Sequence, residues 1–295
     1  MLIDLRYHLI ALVAVFLALA VGILVGSSFI GGPSIKGLED EFGKLRVEIR
    51  SQQQTIDNLR DLEKKRDEFE NAVLPGLING RLHNRRIAII QTGDYSEATQ
   101  SAASILEKAG AKIVSITTLS SLESDVAKKR AARAVELITE ETNIVDPVDR
   151  LLGIIAGTVV MGGYPDRVKL LESKGLLSGS GEYDRRVFYV VIVGGGKYKT
   201  GYMQAQHANL ALIDKLKELG VVALVGVEPV GAVTSYIPTY HRKQVPTVDN
   251  VDQPMGQVAL VFAVAGETGN FGVKKTADSV VPAYLESGQW RYGYR

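Results

Sequence analysis

The residues best placed for chemistry in this sequence follow its predicted strands. Apolar runs at 87–90, 187–193 and 221–227 indicate buried strands, and small or polar residues come directly after each run. Ligands of open α/β sheets bind beyond the carboxyl ends of the strands. The pattern therefore predicts a pocket there, or an emptied pocket kept as an interaction module, formed by Thr92, Gly93, Asp94, Ser96, Gly194, Gly195, Gly196 and Glu228.

Catalysis at these strand ends would need a nucleophile or base held by partners of suitable pKa. Asp94 and Glu228 could form an acid–base pair if their loops adjoin, but both also suit caps of the helices and turns that follow. No histidine lies at these strand ends. The sequence therefore predicts a domain that binds without catalysing, and not an enzyme.

Two short motifs fail as specific sites. A phosphate loop needs a glycine five residues before Gly196 and a hydroxyl residue after Lys197, but Val191 and Tyr198 occupy those positions. Tight turns explain these glycines better. The segment 249–252, Asp-Asn-Val-Asp, lacks the glycine and distal glutamate of a calcium loop, so it predicts a loop cap.

Metal ligands are sparse along the chain. There is no cysteine, and the four histidines and four methionines share no short motif, although Met203 and His207 could lie on one helix face. Copper(I) prefers cysteine and methionine sulfur, and one such pair is not a cluster of soft ligands. The residues alone therefore identify no metal site and no cofactor.

The overall charge of the 295-residue chain does not favour polyanionic partners. Its formal net charge is +1, which gives no reason to expect binding to nucleic acid or another polyanion. The absence of cysteine excludes disulfides and thiolate metal sites, and leaves the redox compartment undetermined.

The N-terminal part of the chain contains the apolar run from Leu9 to Ile30, which carries no charged residue. A helix crosses the hydrocarbon core of a bilayer in about 20 residues, so the run predicts a membrane anchor within residues 1–33. A cleaved signal peptide and a core helix are the alternatives, but signal peptides have shorter apolar regions. Lysine and arginine near the two ends barely differ, so charge does not set the orientation.

A long amphipathic helix is predicted next, from about Ser34 to Leu74, ending at Pro75-Gly76. Its apolar residues recur at alternating steps of four and three, which indicates a coiled coil over residues 34–76. An amphipathic helix folded onto its own domain is the alternative. The predicted seam consists of Leu38, Phe42, Leu45, Ile49, Gln52, Ile56 and Leu59, and the pattern slips by three residues at Leu62.

Residues 77–85 are predicted to be a solvated, basic linker, with contact to lipid phosphates as the alternative. The segment 86–295 then alternates predicted strands and helices, beginning with a β-α-β unit over 87–117. Its charge pattern predicts a helix over 121–142, its glycines and serines predict a loop at 178–181, and its prolines predict an irregular stretch after 227. A helix begins at Asp146-Pro147, because Asp suits the cap and Pro the first turn. This order predicts a Rossmann-like α/β domain with a parallel sheet.

The opening residues 1–26, the segment 247–252 and the segment 256–265 resemble the MctB family of mycobacterial-type copper transporter proteins. The resemblance implies a single-pass membrane protein with most of its chain extracytoplasmic and a role in copper export or homeostasis. It also implies, as an alternative, an envelope or cell-separation scaffold whose coiled coil recruits an envelope protein. Copper enters only through this resemblance, and a homo-oligomer is expected through the coiled coil.

Overall fold

The computed structural model describes residues 5–30, 33–199, 202–282 and 285. Contacts within the chain divide it into two compact units, residues 1–66 and residues 67–295. The first unit holds helix α1 (Leu5–Ile30) and most of helix α2 (Pro33–Ile78). The second unit holds the end of α2 and a mixed α/β fold.

Helix α1 confirms the predicted apolar helix. Of the described residues, only the stretch Tyr7–Ser27 forms a helix that is long and apolar enough to span a membrane, and none of it is buried. A core helix of a globular domain is mostly buried, whereas this stretch is exposed within its own unit.

Helix α2 confirms the predicted long helix but ends later than predicted. It continues through Pro75 to Ile78. An end at Pro75-Gly76 was predicted because proline removes one backbone hydrogen bond from a helix interior. That prediction was wrong. The physical reason is tertiary: Leu74 and Ile78, on either side of the proline, are both buried in the core of the second unit.

The predicted solvated linker is also corrected. Leu82 is fully buried, and its backbone N–H donates to the Ala109 carbonyl at 2.9 Å. The Arg81 guanidinium lies 4.2 Å from the centre of the Phe262 ring, and Arg85 donates to the Val264 carbonyl at 2.5 Å. This basic segment therefore packs on the α/β unit, because arginine stems and planar guanidinium groups cover apolar and aromatic surface.

The second unit is built on one seven-stranded sheet with the order β3-β2-β1-β4-β5-β6-β7. All neighbours pair in parallel except β2 and β3. The strands are β1 (Arg86–Gln91), β2 (Lys112–Leu119), β3 (Leu177–Gly181), β4 (Tyr189–Val193), β5 (Ala223–Val227), β6 (Thr247–Val248) and β7 (Asn270–Phe271).

Helices cover both faces of the sheet. One core cluster joins α3 and α9 with the end of α2, and the other joins α4, α5, α6, α7 and α8. These helices are α3 (Ser96–Lys108), α4 (Asp125–Thr139), α5 (Pro147–Met161), α6 (Pro165–Ser173), α7 (Tyr202–Glu218), α8 (Ile237–Arg242) and α9 (Pro254–Ala265). Burial on both faces explains why Ile87–Ile90 is a continuous apolar run.

Local signals placed most of these elements correctly. Asp146 caps α5 as predicted, since its Oδ1 accepts the N–H groups of Val148 and Asp149 at 3.1 and 3.0 Å. Three predictions need correction. The segment 178–181 is not a loop but belongs to β3, the stretch expected to be irregular after 227 contains α8 and β6, and the helix predicted over 121–142 spans only 125–139.

Candidate functional site

The order of the strands reverses between β1 and β4: β2 and β3 follow on one side of β1, and β4 to β7 follow on the other side. The carboxyl ends of neighbouring strands that diverge in this way normally leave a crevice for a ligand. The predicted site residues lie at this edge, after β1, β4 and β5. Their packing decides how much of the edge stays open.

The loops after β1 and β4 interlock through their backbones. The N–H of Gly93 donates to the Val193 carbonyl at 3.1 Å, and that of Asp94 donates to the Gly195 carbonyl at 3.0 Å. The Asp94 carboxylate in turn accepts the N–H of Lys197 at 3.0 Å. A Cβ on Gly93 would lie 2.3 Å from the Gly195 oxygen, so only glycine permits this contact.

The glycine loop after β4 packs closely against the protein. Gly194, Gly195 and Gly196 are all buried. A Cβ on Gly194 would lie 2.2 Å from the Tyr240 hydroxyl. The sequence placed these loops correctly at one edge of the sheet. Their glycines allow the backbones of the loops and neighbouring side chains to pack closely.

Glu228 belongs to a separate buried group, here called the carboxylate lock, formed by Glu228, Asp249 and Lys274. Glu228 is fully buried; one oxygen accepts the Tyr236 N–H at 2.7 Å and the other accepts Lys274 Nζ at 2.6 Å. Asp249, also fully buried, accepts the N–H groups of Val273 and Lys274 at 2.8 and 3.0 Å.

The lock ties the segment after β7 to the ends of β5 and β6. The acidic side chains of the 249–252 segment accept backbone N–H groups, as a cap does, but from distant loops rather than locally: Asp252 accepts the Val230 N–H at 2.9 Å. Gly272 lies so close to Asp249 that a Cβ would approach its carboxylate oxygen to 2.0 Å. Both oxygens of Glu228 are engaged, and it does not line the same cavity as Asp94.

An open cavity of about 630 Å³, here called the strand-end cleft, lies beyond the ends of β1 and β2. Of the predicted residues, Thr92, Gly93 and Asp94 line it, whereas Ser96 is the exposed first residue of α3 and does not. Residues that sequence reasoning missed complete its polar lining: Ser120, Ser121, Glu123, Lys128, Asp146, Asp149, His207 and Asn209.

A hydrogen bond between Thr92 and Asn209 holds part of the floor of the cleft. The Thr92 hydroxyl donates to Asn209 Oδ1 at 2.8 Å, and Asn209 is almost fully buried. Tyr240 lies fully buried nearby, and burial raises the pKa of its hydroxyl far above the usual value. Its ring packs in the core cluster on that face of the sheet.

Two of the cleft carboxylates have clear structural partners. Asp146 caps α5, and Asp149 lies 3.5 Å from Lys215 of α7. Ser120 and Ser121 could have been found from the sequence, because they follow β2 as Thr92 follows β1. His207 and Asn209 carried no comparable signal, since they lie within a helix that is remote in sequence.

Histidine, cysteine and carboxylate ligands for a metal ion do not cluster in the part of the chain that the structure describes. Across residues 5–30, 33–199, 202–282 and 285, no three His, Cys, Asp or Glu side chains come close enough to hold a metal ion together. His207 is exposed at the cleft. The side chain of Met203, paired with His207 in the sequence argument, lies outside the described residues.

Fold and site together define an α/β protein with a mostly parallel seven-stranded sheet, a strand-end cleft and an N-terminal helix able to span a membrane. A family model described as "Copper transport outer membrane protein, MctB" matches residues 2–282. The chain therefore belongs to the MctB family.

Curated relatives agree with this membership. Proteins named "Copper transporter MctB" from Mycobacterium tuberculosis and Mycobacterium bovis are each 25% identical over 315 residues, covering 95% of this chain and 99% of their own length. A protein of the same name from Mycobacterium leprae is 28% identical over 135 residues, covering 45% of this chain and 43% of its own.

Proposed function

We propose that this chain is a single-span, membrane-anchored protein that takes part in copper export or copper homeostasis at the cell envelope. The observation that carries the proposal is the family match over residues 2–282 of a chain whose α1 can span a bilayer. In this arrangement α1 is retained as an anchor with its N-terminus in the cytoplasm, and residues 34–295 lie outside.

A gene deletion tests the copper role. Loss of the protein should raise cell-associated copper and slow growth in copper-supplemented medium, and the full chain should restore both. A variant without residues 5–30, matched in expression, should not restore them, because it lacks the anchor. Unchanged copper content after deletion would contradict the proposal.

Topology has its own test. Protease added to intact protoplasts should digest the α/β unit, while a cytoplasmic protein in the same cells stays intact. Complete protection of the α/β unit would place it on the inner side of the membrane and contradict the extracytoplasmic orientation.

The α/β unit is proposed to be Rossmann-like and to bind rather than catalyse. Support comes from the two carboxylates that could have formed an acid–base pair: Glu228 is engaged by Lys274 and the Tyr236 N–H, whereas Asp94 lies at the rim of the strand-end cleft. Titration of the purified full chain with copper then tests direct binding. Binding no tighter than micromolar would leave only an indirect role in copper handling.

A second candidate function is a cell-envelope or cell-separation scaffold that acts through a coiled coil of α2. The observation that favours it is the exposed apolar stripe of this helix, which includes Phe42, Leu45, Ile49, Ile56 and Leu59. We propose that the stripe drives self-association of the chain and recruits an envelope protein. A deletion that leaves copper content unchanged but impairs cell separation would favour this function over copper export.

A further inference from the structure

The apolar stripe of α2 carries more information than the capacity to associate. Its large side chains between Phe42 and Leu59 are 43–59% exposed, although the helix around them is strongly polar. Apolar surface concentrated along one line of a helix marks an interface. The spacing and charges of the neighbouring residues indicate which partner fits it.

The alternating steps of four and three assign a heptad frame. Phe42, Ile49 and Ile56 occupy the a positions, and Leu45 and Leu59 occupy d positions with Gln52 between them. In parallel coiled coils, β-branched residues at a combined with leucine at d favour two strands over three or four. Two of the three a positions are isoleucine, so the frame favours a pair of helices.

The flanking charges are complementary in one register. Glu41 precedes an a position and so lies at g, whereas Arg46 follows a d position and lies at e. Residues at g and e of facing helices form the interhelical salt bridges of a coiled coil. With two parallel copies in register, Glu41 of each faces Arg46 of the other, giving two identical pairs. The other facing g and e residues, between positions 48 and 60, include no pair of like charges.

We propose that two copies of this chain pair through residues 42–59 of α2 as a parallel, in-register coiled coil, with Glu41 of each copy beside Arg46 of the other. The inference rests on the self-association and common membrane orientation proposed above. Because the two chains leave the membrane in the same direction, the parallel arrangement is the one that their anchors allow.

Single cysteines test the orientation, because the chain has no cysteine of its own. Leu45→Cys in the full chain, in membranes, should form a disulfide-linked dimer on mild oxidation, since facing d residues lie within disulfide range. Val47→Cys is the matched control: it lies at f, on the outside of the coil, and should cross-link at least about tenfold more slowly. Leu59→Cys repeats the test at a second d position.

The alternatives give different patterns. An antiparallel pair would bring residue 45 opposite residue 56, so Leu45→Cys would cross-link to Ile56→Cys in a mixture and not to itself. Equal cross-linking at 45 and 47 would place the contact elsewhere, for example in α1. Either pattern would overturn the inference.

Charge exchange tests the register. Glu41→Lys and Arg46→Glu should each slow cross-linking of Leu45→Cys, because each puts like charges together in both pairs. The double variant should restore the rate, and a mixture of the two single variants should cross-link preferentially between unlike copies. If the double variant cross-links no faster than the singles, this register is wrong.

Sedimentation of the full chain in detergent separates this inference from the broader proposal. A monomer would overturn self-association itself, whereas a trimer or tetramer would leave self-association standing and overturn the two-stranded assignment. A dimer with the expected cysteine pattern would support both.

Discussion

The two halves of the sheet's carboxyl edge begin from similar sequence patterns and end differently. Beyond β1 and β2, polar loops leave the strand-end cleft open. Beyond β4, β5 and β6, buried glycines and the carboxylate lock fill the space with protein. The difference teaches that a residue's position after a strand predicts its edge of the sheet, whereas long-range partners decide whether it can meet a ligand.

The largest difference in stability between the two halves should come from replacing one lysine in each half. Lys274→Met leaves the fully buried Glu228 without its cation and should lower the free energy of unfolding by about 3–5 kcal/mol. Lys128→Met, at the exposed rim of the cleft, should change it by less than about 0.5 kcal/mol. Urea unfolding of the full chain in detergent, followed by tyrosine circular dichroism, measures both; equal losses would refute the distinction between the two halves.

A methyl group added to the glycine loop should have an intermediate effect. Gly194→Ala places a Cβ against the hydroxyl of Tyr240 and the ring of Tyr236, and overpacking of this kind costs about 1–3 kcal/mol. Gly231→Ala is the control, because nothing lies within 4 Å of its Cβ position. The same unfolding measurement applies, and a Gly194→Ala variant as stable as Gly231→Ala would mean that the loop is loosely packed.

Tyr240→Phe should have the smallest effect on the free energy of unfolding at neutral pH, but a distinct effect at alkaline pH. Burial raises the pKa of Tyr240 above its usual value of 10.0, so above that pH the unfolded chain releases a proton that the folded chain retains. Unfolding free energy should therefore fall as pH rises above 10, by up to about 1.4 kcal/mol per pH unit from this group.

Tyr240→Phe should lack that contribution and lose less stability between pH 10 and 11, with Tyr198→Phe, at an exposed residue, as the control. Unfolding measured at a series of pH values provides the comparison. Parallel curves for the wild-type chain and Tyr240→Phe would show that Tyr240 is accessible to water.

Elements with a local signal could be predicted from the sequence. The run Ile87–Ile90 gave β1, and Asp146-Pro147 gave the start of α5. Strand β3 could not be found in this way, because Leu-Ser-Gly-Ser-Gly has neither apolar alternation nor β-branched residues. It forms by pairing with β2, where Gly181 fits closely against the Val114 carbonyl.

The site was predictable to a similar degree. Thr92, Gly93 and Asp94 were placed at the cleft by their position after β1. The sequence placed Glu228 at the correct edge of the sheet and considered Asp94 as its partner. In the structure its partner is Lys274, far along the chain. No spacing rule connects residues so distant in sequence, so only the folded chain could reveal the lock.

The end of α2 has a mechanical consequence. Ile78 and Leu82 are buried beneath the sheet, and the chain then enters β1, which is hydrogen-bonded to β2 on one side and β4 on the other. Tension applied to the chain at residue 78 would therefore reach the centre of the sheet, where two ladders hold β1. An edge strand would be held by one ladder, so the chain enters the sheet at a strand with twice as many neighbours.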